Sequence, residues 1–220
     1  MNRCILFFVK YPEPGQVKTR LAESATAEAA RDLYKAFVEE ELAVLEGMEG
    51  IDVMVCYAPE THGREIAEWL GGGRRYLSQK GMDLGRRMEN GFREAFFMFY
   101  DEVVLVGSDI PELSADVIRQ AFAGLSTGKA VLGPARDGGY YLIGFPRGSF
   151  IPEVFADMVW STEKVFENTM ERLTSSGMDV EILPALADMD TLDDVRDMVA
   201  RGALQGSRTL ELARKMVGEG

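Results

Sequence analysis

Three cations, Lys10, Lys18 and Arg20, bracket Pro12, Pro14 and Gly15 in the segment KYPEPGQVKTR. The segment directly follows the apolar run CILFFV. In an α/β sheet the loop beyond a strand's carboxyl end faces the ligand crevice, and a helix start behind it favours anions, so phosphate is the natural guest. This is not a P-loop, because Val17 stands before Lys18 where that motif requires glycine, and no GxGxxG follows the run. Both absences weaken the NTPase and dinucleotide readings. The plainer alternative is a solvated basic loop stiffened by its prolines.

Carboxylates supply the second kind of chemistry. In GSDIPEL, Asp109 follows VVLV and so leaves a sheet at a strand's carboxyl end, where an acidic side chain can hold Mg²⁺ or Mn²⁺ against substrate phosphate. Capping of a turn or helix by Ser108 or Asp109 is the competing role. One carboxylate is too few for a metal, and ADMDTLDDV offers Asp188 or Asp190 as the second, with Asp190 preferred. Thr191 and Asp194 in the same segment have capping-box spacing, a structural role.

Two glycine-bearing segments complete the set. In GPARDGGYYLIG, Asp137, Gly138, Gly139 and Tyr140 either form a plain Asp-Gly turn or bring backbone and a carboxylate against a hydroxyl of a sugar or acceptor. KGMDLGRRMENG places Gly81, Asp83, Leu84, Gly85, Arg86 and Arg87 before a helix, suited to phosphates or base edges, or simply to helix initiation.

The elements that must position these residues alternate between strand-like and helical patterns. Strands are expected at CILFFV, IDVMVCYA, RRYLSQ, VVLVGS, AVLGPA, YYLIGF and VEILP. Helices are expected over 27–45, 65–70, 86–100, 115–125, 163–173, after Thr191, and over 210–217. Continuous apolar strands such as VVLV imply burial on both faces, hence a mostly parallel central sheet between two helix layers. Met88, Phe92, Phe96 and Phe99 recur at helical spacing and read as one core face. The pattern contains no linker, repeat or low-complexity tract, so a single domain over 1–220 is expected.

Composition sets the outer bounds. A hydrophobic fraction of 46% with 27% charged residues is globular, and no apolar run approaches the length of a membrane span. The N-terminal run lacks a small-residue cleavage site and reads as a strand, so a cytoplasmic protein is expected. A net charge of −12 argues against a nucleic-acid surface. Cys4 and Cys56 fall in strands as small hydrophobes. His62 is the only histidine, without a second histidine or nucleophile beside it, which disfavours triad and zinc chemistry. Apolar helix faces serve core and homodimer contact equally.

Six segments in order, PEPGQVKTRL, GMDLGRRM, GSDIPEL, GPARDGGYYLIG, WSTEKVFENT and DMDTLDDV, resemble the small bacterial glycosyltransferase-like proteins of the nucleotide-diphospho-sugar transferase superfamily over positions 5 to about 195. The chain is more distantly similar to phosphoenolpyruvate guanylyltransferases and molybdenum-cofactor nucleotidyltransferases. The resemblance implies an α/β, three-layer α/β/α Rossmann-like mixed sheet of glycosyltransferase A type. It implies that Asp109 is the metal aspartate, completed by Asp190. Pro14, Gly15, Lys18 and Arg20 would meet phosphates, together with Lys10. Gly81, Asp83, Leu84 and Gly85 would face the nucleotide, and Asp137, Gly138, Gly139, Tyr140, Trp160 and Ser161 the acceptor. Asp109, Lys18, Arg20 and Asp137 would carry catalysis.

Many glycosyltransferases of this fold carry Asp-x-Asp, whereas Ser108-Asp109-Ile110 offers one carboxylate. Nucleotidyltransferases of the fold usually open with a glycine-rich loop ending in Arg-Met-Gly, which KYPEPGQVKTRL replaces. The expectation is therefore a metal-dependent transferase moving sugar from a nucleotide-diphospho-sugar to a small-molecule acceptor. Nucleotidyl transfer from an NTP to a small phosphorylated acceptor is the alternative, and nucleotide binding without turnover the third reading.

Overall fold

A computed structural model describes residues 1–219. Seven strands form one sheet in the order β3-β2-β1-β4-β6-β5-β7. They are β1 (Arg3–Lys10), β2 (Ile51–Ala58), β3 (Arg75–Ser78), β4 (Glu102–Gly107), β5 (Ala130–Pro134), β6 (Tyr140–Pro146) and β7 (Val180–Ile182). The helices are α1 (Thr19–Ser24), α2 (Ala27–Glu46), α3 (Gly63–Leu70), α4 (Leu84–Phe97), α5 (Ala115–Ser126), α6 (Val165–Ser175), α7 (Leu192–Ala200) and α8 (Arg208–Val217).

The apolar strands are buried on both faces because their side chains alternate between two cores. Ile5, Phe7 and Val9 of β1 enter one cluster with residues of α2, α3, α5, α7 and α8. Cys4, Leu6 and Phe8 enter the other with residues of α4 and α6. Period-two alternation between two helix layers is what a sandwiched sheet requires. The three-layer α/β/α arrangement is thus the expected one, with a mixed sheet. β1 pairs in parallel with β2 and β4, and β2 in parallel with β3, whereas β6 runs antiparallel between β4 and β5.

This order positions the site. The chain leaves β1 for β2 on one side, while β4 lies on the other side, so the loops after β1 and β4 diverge. Such a switch point opens a crevice beyond the carboxyl ends of the strands. Local signals start the surrounding helices. Thr26, Asp83, Ser114 and Ser207 each accept a backbone N–H of the first turn they cap, and Thr191 with Asp194 forms a full capping box before α7.

Two expectations need correction. α4 ends at Phe97 rather than Tyr100, and Phe99 adopts a left-handed φ of 65° and is 74% exposed. The core face therefore stops at Met88, Phe92 and the partly buried Phe96, while Tyr100 turns back into the core. The segment around 163–173 becomes helical only from Val165, after a turn. Cys4 and Cys56 are free and buried, and burial first, then the charge of Asp52, pushes the Cys4 thiol up to about 12. Among the described residues no helix is long and apolar enough to cross a membrane.

Phe92 is the hub of the second core, in aromatic contact with Phe96, Phe145, Phe150 and Phe155. It is fully buried. Phe92→Ala should therefore cost about 3–5 kcal/mol, the range for emptying an aromatic core site, read as a lower urea midpoint at unchanged slope.

Candidate functional site

A cleft of about 620 Å³ opens at the switch point. That volume suits a ligand of nucleotide size. Lys10, Lys18 and Arg20 line it from the loop after β1, Ser108 and Asp109 from the loop after β4, and Leu84, Arg87 and Met88 from the start of α4. Asp137, Gly139 and Tyr140 line it from the β5–β6 turn, Trp160, Ser161 and Thr162 from the segment before α6, and Asp188 and Asp190 from the segment before α7.

Lys18 organises the charge. Its ammonium lies 2.6 Å from Oδ1 of Asp109 and 2.8 Å from Oδ1 of Asp190. The lysine side chain is 3% exposed, against 53% and 36% for the two carboxylates. Its backbone sits in the left-handed region, φ 48° and ψ 47°, at the N-cap of α1. A non-glycine residue held there carries strain of about 1–3 kcal/mol, maintained only where the surroundings fix it. The ring of Phe37, 5.5 Å from Nζ, supports the ammonium from α2. Burial alone would depress the Lys18 pKa, but the Asp109 and Asp190 carboxylates outweigh it and hold the group above its usual value.

Backbone and hydroxyl contacts set the loops that bring these groups together. The Met189 N–H donates to the Asp109 carbonyl at 3.1 Å, which places Asp190 beside Asp109. Asp194 accepts from the N–H groups of Asp190 and Thr191 and fixes the turn into α7. Tyr34 of α2 accepts the Lys10 N–H at 2.9 Å, and its hydroxyl lies 3.0 Å from Ser108 Oγ, so one buried tyrosine ties the ends of β1 and β4. Burial, then the Asp109 charge, raises its pKa and keeps it neutral.

Four carboxylates and four cations face the cleft. Lys18 serves two of the carboxylates, whereas Lys10, Arg20 and Arg87 form no ion pair among the described residues. On the acidic wall, burial and the neighbouring charges of Asp137, Asp190 and Asp194 push Asp188 up to about 6. The wall is therefore short of positive charge while three cations are unpaired.

These observations test the fit of a divalent ion. Every carboxylate on the wall is a hard oxygen donor of the kind Mg²⁺ and Mn²⁺ take, and Asp188 reports negative charge that nothing nearby neutralises. Among the described residues no three carboxylate, histidine or cysteine groups form a ready-made cage. Mg²⁺ usually takes one or two carboxylates plus phosphate and water. Asp109 and Asp190 fit such an ion, with the Lys18 ammonium now between them.

Several residues expected at the ligand do structural work instead. Asp83 caps α4 through the Arg86 N–H, and Gly81, at φ 143°, packs so closely on Arg86 and Arg87 that a side chain would strike backbone. A Cβ on Gly85 would lie 2.6 Å from the Phe155 carbonyl and 2.7 Å from the Trp160 ring, so this glycine seats the tryptophan rather than touching the cleft. Gly138, at φ 90°, packs against the Glu163 backbone. Pro14 faces a separate cleft with Arg31, Lys35, His62 and Trp69, and Gly15 is an exposed turn residue at φ 75°.

Other contributors carried no signal of their own in the sequence. Tyr34 and Met88 read as helix-face residues, and Gln79, which donates to the Val9 and Cys56 carbonyls, ends an ordinary strand. Glu41 of α2 is buried, with neither carboxyl oxygen hydrogen bonded. Burial, then the charge of Asp109, pushes its pKa well above the usual carboxylate range against the pull of Lys18.

A mixed Rossmann-like sheet with charged loops meeting at its switch point defines a transferase fold of the nucleotide-diphospho-sugar type. A structure from Desulfovibrio desulfuricans G20, provisionally named a nucleotide-diphospho-sugar transferase, is 38% identical with a TM-score of 0.94, covering 99% of this chain and 96% of that one. The chain belongs to the family described as uncharacterized protein conserved in bacteria (DUF2064), whose model matches residues 41–162.

More distant likeness concerns the fold alone. A 4-diphosphocytidyl-2C-methyl-D-erythritol synthase from Anaerococcus prevotii DSM 20548 is 13% identical, with a TM-score of 0.57 and coverage of 91% and 96%. A CMP:2-keto-3-deoxy-manno-octonic acid synthetase complexed with CTP is 11% identical, with a TM-score of 0.56 and coverage of 91% and 99%. No curated protein matches the sequence.

Two outcomes follow from this geometry. Gly85→Ala should unseat Trp160, lowering stability by about 1–3 kcal/mol and shifting tryptophan emission. Unchanged emission and midpoint would contradict the packing. For Glu41 the folded pKa exceeds the unfolded value of 4.5, so its carboxyl costs nothing below 4.5 and increasingly destabilises the fold as pH rises towards the folded pKa. Glu41→Gln should therefore gain stability relative to wild type across that rise, as followed by urea titrations from acid to alkaline pH.

Proposed function

We propose that the protein is a sugar transferase whose donor is a nucleotide-diphospho-sugar and whose acceptor is a small molecule. One observation carries this reading: unpaired Lys10, Arg20 and Arg87 line one cleft of nucleotide size together with Asp109, Asp137, Asp188 and Asp190. The cations suit a diphosphate, and Asp137 suits a hydroxyl. The D. desulfuricans relative, at 38% identity across the chain, supports the same donor class.

In this reading Lys10, Arg20 and Arg87 hold the diphosphate, and Arg20 takes up charge as it departs. Tyr140 and Trp160, packed edge to face at 6.5 Å between centroids, form an apolar wall that orients the acceptor. Asp137, whose Oδ1 already accepts the Gly139 N–H at 2.8 Å, is held in place to accept a hydroxyl proton. The acceptor oxygen bonds to the anomeric carbon as the bond from that carbon to the phosphate oxygen breaks, and nucleoside diphosphate leaves. A divalent ion on Asp109 and Asp190 would neutralise charge on the leaving group.

A second reading rests on the number of unpaired cations. Three are enough for a triphosphate, and nucleotidyl transfer onto an acceptor phosphate needs no general base. There the acceptor oxygen bonds to the α-phosphorus and pyrophosphate leaves. Both cytidylyl-transferring structures above share the fold and support this reading by analogy of architecture.

The product separates the two. A panel of nucleotide-sugars and nucleoside triphosphates, each offered with Mg²⁺ or Mn²⁺ and mixed small acceptors, should release nucleoside diphosphate in the first case and pyrophosphate in the second. Asp109→Asn should lower kcat/KM about 100-fold or more in either case. Full activity in that variant, or release of neither product from any donor, would count against both readings.

A further inference from the structure

Lys18 sits where a divalent ion bridging the Oδ1 atoms of Asp109 and Asp190 would sit. Its ammonium is within 2.8 Å of one oxygen on each of Asp109 and Asp190, the two carboxylates that suit a metal. An ion bound between those oxygens would stand about 2.1 Å from each. Two cations cannot share that position. We propose that Lys18 is an exchangeable internal counter-ion: in the ligand-free protein its ammonium closes the Asp109–Asp190 pair to divalent ions, and nucleotide phosphate draws it out and opens the pair. The second half of this proposal rests on the nucleotide reading above.

The construction of the seat favours exchange at the ammonium rather than movement of the loop. The stem of Lys18 is buried, with Nζ over Phe37, and its backbone is held in a left-handed conformation, so only the end of the side chain is free to redirect. An incoming phosphate supplies the new partner. It enters a cleft where Lys10 and Arg20 already favour anions and which Lys18 itself lines.

Charge balance points the same way. In the ligand-free state the ammonium offers one positive charge to two carboxylates, with Asp137 and Asp188 on the same wall besides. Trading it for a doubly charged ion leaves that wall closer to neutral, and the displaced ammonium meets the phosphate. Divalent ion and phosphate are thus taken up together, and the ion alone is refused.

The test uses Mn²⁺ alone, titrated into the full chain without nucleotide, with free Mn²⁺ read by electron paramagnetic resonance. Wild type should show no saturable site into the millimolar range. Lys18→Met should bind one Mn²⁺ about tenfold or more tighter, and Lys18→Met with Asp190→Asn should lose that site. Lys18→Arg, which keeps the cation, should stay as weak as wild type.

Tight one-to-one binding of Mn²⁺ by wild type would overturn the proposal whatever the variants do, and so would equal affinities in wild type and a folded Lys18→Met. Circular dichroism checks the fold of each variant, and if Lys18→Met does not fold, Lys18→Gln takes its place. Nucleotide binding is read separately, as a thermal shift with nucleoside triphosphates and nucleotide-sugars in Mg²⁺, against Mg²⁺ alone. No shift from any of them would sink the nucleotide reading and the opening step, while the Mn²⁺ comparison would still decide whether Lys18 closes the pair.

Discussion

An ammonium group held by two carboxylates joins three parts of the chain that are far apart in sequence. Lys18 follows the first strand, Asp109 the fourth and Asp190 the last, and the pair formed with Asp190 spans 172 positions. Each loop alone would be a solvated surface feature worth little to stability. Together they meet at a buried lysine, and the fold reads as the means of that meeting. The parallel pairing of β1 with both β2 and β4 opens the crevice. The Met189–Asp109 backbone hydrogen bond brings in the third strand of chain. Tyr34 ties the two strand ends that frame it.

The arrangement also separates two jobs that a row of basic residues would otherwise share. Lys18 is paired with two carboxylates, while Lys10, Arg20 and Arg87 have no acidic partner among the described residues. A surface of net charge −12 repels anionic ligands in general. A small group of unpaired cations lining a cleft restores attraction locally. Packing shapes the rest of the lining: Gly85 leaves room for Trp160, and Trp160 meets Tyr140 edge to face.

Much of the scaffold was legible because its signals are local. The alternation in CILFFV and IDVMVCYA places strands whose two faces enter two cores, and Thr191 with Asp194 caps α7 where their spacing predicts. The end of α4 was not, since helical spacing continues through Phe99 while the backbone has already turned left-handed. The insertion of β6 between β4 and β5 was equally hidden. An Asp-Gly turn announces a hairpin without saying which of its strands docks on the sheet. Within the site, residue type revealed charge but not partner: nothing in the sequence says that Lys18 meets Asp109 and Asp190. Glycine was the most ambiguous letter. Gly81, Gly85 and Gly138 are required by neighbouring backbone and rings, and only packing distinguishes that from close approach to a ligand.

The placement of Asp190 bears on how the molecule comes into being. Synthesis proceeds from the amino terminus, and domains begin to fold as they emerge. The parallel strands β1, β2, β3 and β4 are complete by Gly107, long before Asp190 has been made. A nascent chain halted at that stage would have the strands that floor its cleft but neither Asp109 nor Asp190, and one ending between those two residues would hold only Lys18 and Asp109 of the three. Premature termination anywhere before the segment preceding α7 therefore leaves the buried lysine without its second carboxylate.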